Sequence, residues 1–206
     1  MEEGKNIIDF LHPTELIDSD HPAIISKANE ITGLKREPED KAKAIFYFVR
    51  DYIRYIFRAD LDEQKYKASS ILKSGKGFCT QKAILFCALA RACQIPSGIH
   101  FYDIIDYTLN ETFVRFLKTR TLYHHGVPVL YLNNTWYQYD ATLDIELVKN
   151  KGLRPVEFCM GQNCLMHPTT LNGEKHVEYV RDHGMYSDVT FKEIESWLKE
   201  GYPHLL

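Results

Sequence analysis

The 206-residue sequence lacks any long apolar run. Its longest, Ala83 to Ala90, is far short of the roughly 18 residues a membrane helix needs, so no membrane is expected as a partner. An excess of basic charge is missing too. Twenty-five Lys and Arg stand against 28 Asp and Glu, for a formal net charge of −3. Nucleic-acid binding usually needs a basic stripe, and so does capture by anionic lipid; neither partner is expected. Cysteine is sparse and odd in number, at positions 79, 87, 93, 159 and 164. That excludes a secreted disulfide scaffold and points to reduced thiols. The first residues, Met-Glu-Glu-Gly-Lys, carry neither a basic nor an apolar targeting region, so no signal peptide is read and a cytoplasmic location is expected. No internal repeat or low-complexity linker interrupts the chain.

What is present is a core. Apolar residues make up 45% of the chain, enough to exclude disorder, and the length predicts one domain over 1–206. The first part, 1–60, reads as helical. Ser19-Asp20-His21-Pro22 is a helix start, followed by Ile24, Ala28 and Ile31 on one face and Gly33 as terminator. A second helix starts at Pro38-Glu39-Asp40, with Ala42, Ile45, Val49 and Tyr52 as its buried stripe. From Cys79 to Gln94 almost no polar face remains, which marks a helix buried on all sides. Extended character follows at Ile99–Tyr107, Leu122–Leu132 and Trp136–Tyr139, rich in Ile, Val, Tyr and Phe. Thr190 and Glu193 form a capping box that opens a C-terminal helix through Leu198. Helices first and strands later predict an α+β fold, with an antiparallel sheet packed on the central helix.

Two segments carry chemistry. Gly75-Lys76-Gly77-Phe78-Cys79 runs directly into the buried helix and places Cys79 at its N-terminus. Unpaired N–H groups and the helix dipole there favour a thiolate. The Cys79 N–H is an oxyanion donor in waiting. Cys87 and Cys93 lie deeper in the same helix and read as core residues. The second segment, Tyr123 to Asp140, reads as a β-hairpin turning at Asn133-Asn134. An even turn pairs Leu132 with Thr135 and puts Asp140 opposite Val127, one diagonal step from His125 and on its face. His125 then serves as the base that a thiolate nucleophile needs, and Asp140 as the carboxylate that orients it. Alternation turns His124 to the opposite face, as a packing residue.

These residues resemble the transglutaminase-like superfamily, a branch of the papain-like cysteine enzymes. The likeness covers Ala68 to Thr142. It rests on Gly77-Phe78-Cys79 with the helix through Ile95-Pro96, on His125 to Leu132, and on Trp136 with Asp140-Ala141-Thr142. The order Cys, His, Asp matches, as does the 15-residue spacing from His125 to Asp140. The resemblance implies a nucleophile-bearing helix against an antiparallel sheet, with 68–142 as catalytic core and 143–206 as a C-terminal extension. It implies acyl transfer through a thioester on a peptide or carboxamide, with hydrolysis favoured over transamidation and no cofactor. Two positions depart from the pattern. Val127 stands where members often carry an aromatic residue, and no upstream residue supplies a second oxyanion donor.

Two other readings follow from the residues. One is a non-catalytic peptide- or protein-binding module on the same fold. The other is a zinc site at Cys159, Cys164 and His167, with His176 or His183 as fourth ligand. Asp103 and Asp106, three apart on a strand, read as edge or loop carboxylates.

Overall fold

A computed structural model describes residues 6–58 and 60–205. The segment Met1–Lys5, read above for targeting, lies outside them. The helices are α1 (Pro22–Thr32), α2 (Pro38–Tyr52), α3 (Ala68–Ser74), α4 (Cys79–Ala92), α5 (Glu111–Leu117), α6 (Ile145–Asn150) and α7 (Phe191–Gly201). The strands are β1 (Arg54–Tyr55), β2 (Lys76–Gly77), β3 (Ser97–Asp106), β4 (Thr121–Leu132), β5 (Thr135–Gln138) and β6 (Val177–Tyr186). The fold is α+β, as the order of patterns predicts.

Helix α4 is the centre of the molecule. Every residue from Cys79 to Arg91 is buried. Helices α1, α2 and α3 pack on it from one side, and strands β3 and β4 from the other. Its one interior lysine explains how a charged residue survives there. Lys82 Nζ donates to the Ile53 carbonyl at 2.6 Å and to the Arg50 carbonyl at 3.2 Å. These carbonyls lie at the C-terminal end of α2, where helix acceptors lack intrahelical donors. Burial pushes the Lys82 amine down to about 7.

The main sheet runs β5-β4-β3-β6, antiparallel throughout. Asn133 and Asn134 turn the β4–β5 hairpin with φ of 50° and 62°, and Leu132 pairs with Thr135. The turn is therefore even, as the hairpin register requires. A separate parallel pair, β1 with β2, sets Tyr55 beside Gly77.

The cap of α1 is His21, directly before Pro22; its Nδ1 accepts the Ala23 N–H at 3.1 Å. Other local expectations are corrected. Tyr52 is 74% exposed rather than part of the α2 stripe, because the helix ends there; Phe46 takes an inward position. Cys93 is half-buried at the C-cap of α4. Asp103 and Asp106 are both buried, and Asp103 lies on the central strand β3, between β4 and β6. Helices α3, α5 and α6 and strand β6 carried no clear periodic pattern, being short or highly polar on one side.

Candidate active site

Cys79 opens α4 and is only 5% exposed. The chain reaches it through β2, whose Gly77 carbonyl accepts the Ile56 N–H at 3.1 Å. Gln81, one turn into the helix, bonds back. Its Oε1 accepts the Phe78 N–H at 3.2 Å, and its Nε2 donates to the Lys65 carbonyl at 2.9 Å. The loop before Cys79 is thereby fixed, while the Cys79 N–H stays at the open end of the helix, where no intrahelical acceptor exists.

The hairpin delivers the partners. His125 on β4 is 1% exposed, and its Nε2 lies 2.8 Å from Asp140 Oδ2. Asp140 Oδ1 accepts the Thr142 N–H at 3.0 Å, and the Asp140 N–H donates to the Cys164 carbonyl at 2.8 Å. The other ring nitrogen, His125 Nδ1, is buried and has no partner of normal hydrogen-bond geometry. Loose contacts of this kind are usual between a base and a nucleophile in a resting site.

The three side chains nonetheless act on one another. Burial pushes the Cys79 thiol up, but hydrogen bonding and charge from His125 outweigh it, aided by the Gly126 backbone and the Thr80 hydroxyl. The thiol ends below its ordinary value of 9.0. Burial pulls His125 down, and the Asp140 carboxylate, with help from Cys79, raises it to about 10. Burial pushes Asp140 up; His125 and then Thr142 more than reverse this, leaving the carboxyl below 3.8. Each shift moves its group toward the charged form: the thiol toward thiolate, the imidazole toward imidazolium and the carboxyl toward carboxylate.

Other contributors left no signal in the sequence pattern. A Cβ on Gly126 would stand 3.2 Å from Ile99 Cγ2 and Phe101 Cε1 and 3.3 Å from Thr80 Cα. The missing side chain eases the close packing of β4 on β3 and on the start of α4, one residue after His125. Tyr55 sits in register with Gly77, two residues before the thiol. Its hydroxyl is raised well above 10.0, by burial first and then by the Cys79 charge. Tyr179 on β6 is raised by burial and by the charge of Asp140, and its hydroxyl accepts the Met166 N–H at 3.3 Å. Over the site Phe57 contacts both Phe78 and Tyr202, with ring centroids 5.8 and 5.5 Å apart.

His124 does not join the pair. It packs on Trp197 with ring centroids 4.3 Å apart and planes 4° from parallel, a packing role, although it lies in a bulge that interrupts the strand alternation. Burial lowers its pKa to about 4. The zinc set at the C-terminal loop does not form. The donor atoms of Cys159, Cys164 and His167 do not converge among the described residues. His167 Nδ1 accepts the Thr169 N–H, His176 Nδ1 faces the His167 carbonyl, and His183 pairs with Asp103. Cys164 instead serves through its backbone, whose N–H and carbonyl bracket the end of β5 at Gln138 and Asp140.

A thiol at a helix start, beside a His–Asp pair on an antiparallel sheet, is a constellation found in thiol-dependent acyl-transfer enzymes. The chain belongs to the transglutaminase-like superfamily, whose sequence profile matches residues 25–141. Among curated proteins none matches it. Its fold is similar to a solved structure described as a "putative cysteine protease" from Cytophaga hutchinsonii. The TM-score is 0.57 and the identity 20%, over 91% of this chain and 49% of the other. The chain thus spans about half the length of that protein. A "putative protease" from Parabacteroides distasonis aligns at a TM-score of 0.42 and 12% identity, over 62% of this chain and 26% of the other.

Proposed function

We propose that the protein is a cysteine hydrolase that cleaves a peptide or carboxamide bond through a thioester on Cys79. The observation that carries this reading is the lowered Cys79 thiol beside the buried His125–Asp140 hydrogen bond. The Cys79 thiolate attacks the carbonyl carbon, and a C–S bond forms. The carbonyl oxygen takes the negative charge and meets the Cys79 N–H, with the neutral Tyr55 hydroxyl as second donor. His125 gives its proton to the leaving nitrogen, the C–N bond breaks, and an acyl-enzyme remains. Water then loses a proton to His125 and attacks the thioester. The C–S bond breaks, and a carboxylic acid and the resting ion pair are left. Asp140 holds the imidazole with Nε2 engaged and Nδ1 toward the thiol, and stabilises its positive form.

Water is preferred over an amine as acceptor because transamidation needs a site that excludes water and positions the amine. A peptide or protein substrate fits the near-neutral chain, which offers no strong field for a polyanion.

Incubation with a panel of fluorogenic peptide amides tests the proposal. The expected result is amine release, with an acyl group trapped on the Cys79 peptide by acid quench and mass spectrometry. Neither should occur in Cys79→Ala. Amine release that persists in Cys79→Ala, or no acylation from any member of the panel, overturns it. Peptide binding without acylation would favour the binding module.

A further inference from the structure

Strand β3 meets one bulge on its β4 flank and two on its β6 flank, all within a residue or two of Asp103. On the β4 side, Tyr102 pairs with His125 and Ile104 with Leu122, so β4 carries one residue more than β3. His124 lies in that bulge with φ of 51°, a conformation rare for a residue with a side chain. On the β6 side, Phe101 pairs with Gly184 and Tyr102 with Asp182, so His183 is the extra residue. Bulges re-aim side chains and concentrate near functional sites. Here they turn two histidines, from different strands, onto one buried carboxylate.

Asp103 Oδ1 stands 2.9 Å from His183 Nε2 and accepts the His124 N–H at 3.0 Å. The two imidazole rings stack with centroids 4.0 Å apart. His124 Nδ1 is buried and has no hydrogen-bond partner. A buried ring nitrogen without a partner calls for an explanation, such as an absent ion. One donor atom from each of the three residues lies within 4.8 Å of the others, and no other cluster among the described residues meets that condition.

We propose that Asp103, His124 and His183 bind a divalent transition-metal ion of the zinc type. Two imidazoles and one carboxylate suit Zn²⁺ or Co²⁺ far better than Mg²⁺ or Ca²⁺, which take oxygen donors. Bonds of about 2.0 Å put tetrahedral donors roughly 3.3 Å apart. An imidazole binds in its own plane, so the His183 ring must turn out of its stack on His124, which Trp197 also holds, to complete the set, with water in the fourth place. His183 also lines a cavity of about 870 Å³ with His100, Trp136 and Asp182, which gives an ion access from solvent. The site adjoins the active site without sharing a side chain with it. His124 precedes His125, and its carbonyl accepts the Thr80 hydroxyl at 3.5 Å. An ion bound here holds the bulge from which His125 projects. The binding itself does not depend on the hydrolase reading.

Cobalt titration of the full chain in a Cys79→Ala background, followed by absorbance, tests the site. The expected result is one Co²⁺ per chain, with d–d bands and no thiolate charge-transfer band. Zn²⁺ should displace it. His183→Ala should weaken binding at least tenfold while the metal-free thermal melt stays two-state. Asp103→Asn, which keeps the shape, should weaken it as well. Absence of binding at 100-fold excess metal overturns the proposal. So does binding unchanged in His183→Ala, or a charge-transfer band, which would place the ion on Cys159 and Cys164.

Discussion

His125 Nε2 and Asp140 Oδ2 stand 2.8 Å apart, and neither side chain reaches solvent. A charged pair in such a place depends on both members. Asp140→Ala leaves a cationic ring with nothing opposite it, and is expected to cost about 3–5 kcal/mol of stability by urea unfolding. Asp140→Asn keeps the volume but cannot balance the imidazolium. It should cost less stability yet lower amide hydrolysis by about 10²–10⁴-fold. Asn and wild type turning over at equal rates would remove Asp140 from the mechanism.

The same pair predicts a pH window for stability. His125 is raised from 6.5 to about 10, so its contribution is complete below 6.5 and fades as pH rises toward 10. Asp140 is lowered from 3.8, so its contribution is complete above 3.8 and fades as pH falls through its folded value. The stability difference between wild type and His125→Gln should therefore be largest between these limits. It should shrink on either side, as read from thermal melts across pH. A difference independent of pH would mean that the pair is not charged.

Cys79 should react with iodoacetamide at a lower pH than a free thiol, because His125 overrides the effect of burial. His125→Ala removes the override and leaves burial. Its Cys79 should then be less reactive than a free cysteine at neutral pH, and not merely equal to one. Quantifying the alkylated Cys79 peptide by mass spectrometry reads both values. Cys87 is the internal control, since burial pushes its thiol up to about 12.

Gly126→Ala inserts a methyl group 3.2–3.3 Å from atoms of Ile99, Phe101 and Thr80. Overpacking of this kind costs about 1–3 kcal/mol. The strand that carries His125 must also move away from α4. The Cys79 alkylation profile should then shift toward higher pH even in the fraction that stays folded. An unshifted profile would show that the close approach of β4 does not set the His–Cys contact.

Tyr55→Phe keeps the ring beside Gly77 and deletes the hydroxyl next to Cys79. Loss of an oxyanion donor typically costs 10²–10³ in kcat. The expected signature is a fall in kcat with KM nearly constant and an unchanged melting temperature. A variant with full kcat would free Tyr55 from that role.

Much of this was legible in the sequence because it depends on local rules. The apolar run after Gly77-Phe78-Cys79 can only be a buried helix, and a cysteine at its start meets free N–H groups whatever surrounds it. Asn133-Asn134 favours a two-residue turn, and strand alternation then brings His125 and Asp140 onto one face. What was not legible depends on contacts between distant segments. Strand β6 is exposed along much of its length, so no alternation marks it, yet it makes β3 an interior strand. Asp103 was misread for that reason, since whether a strand is central or edge is a property of its neighbours.

The sequence by itself determined the buried helix behind Cys79, a tight turn at Asn133-Asn134 and the order of Cys79, His125 and Asp140, because helix burial and turn chemistry are set within a few residues; the structure made the turn even. Only the tertiary structure decided that β4 could approach α4 at Gly126, that Tyr55 would stand beside the thiol, and that two bulges would bring His124 and His183 to Asp103. Those are packing distances between elements. They emerge only when the sheet closes on the helix, and no spacing along the chain encodes them.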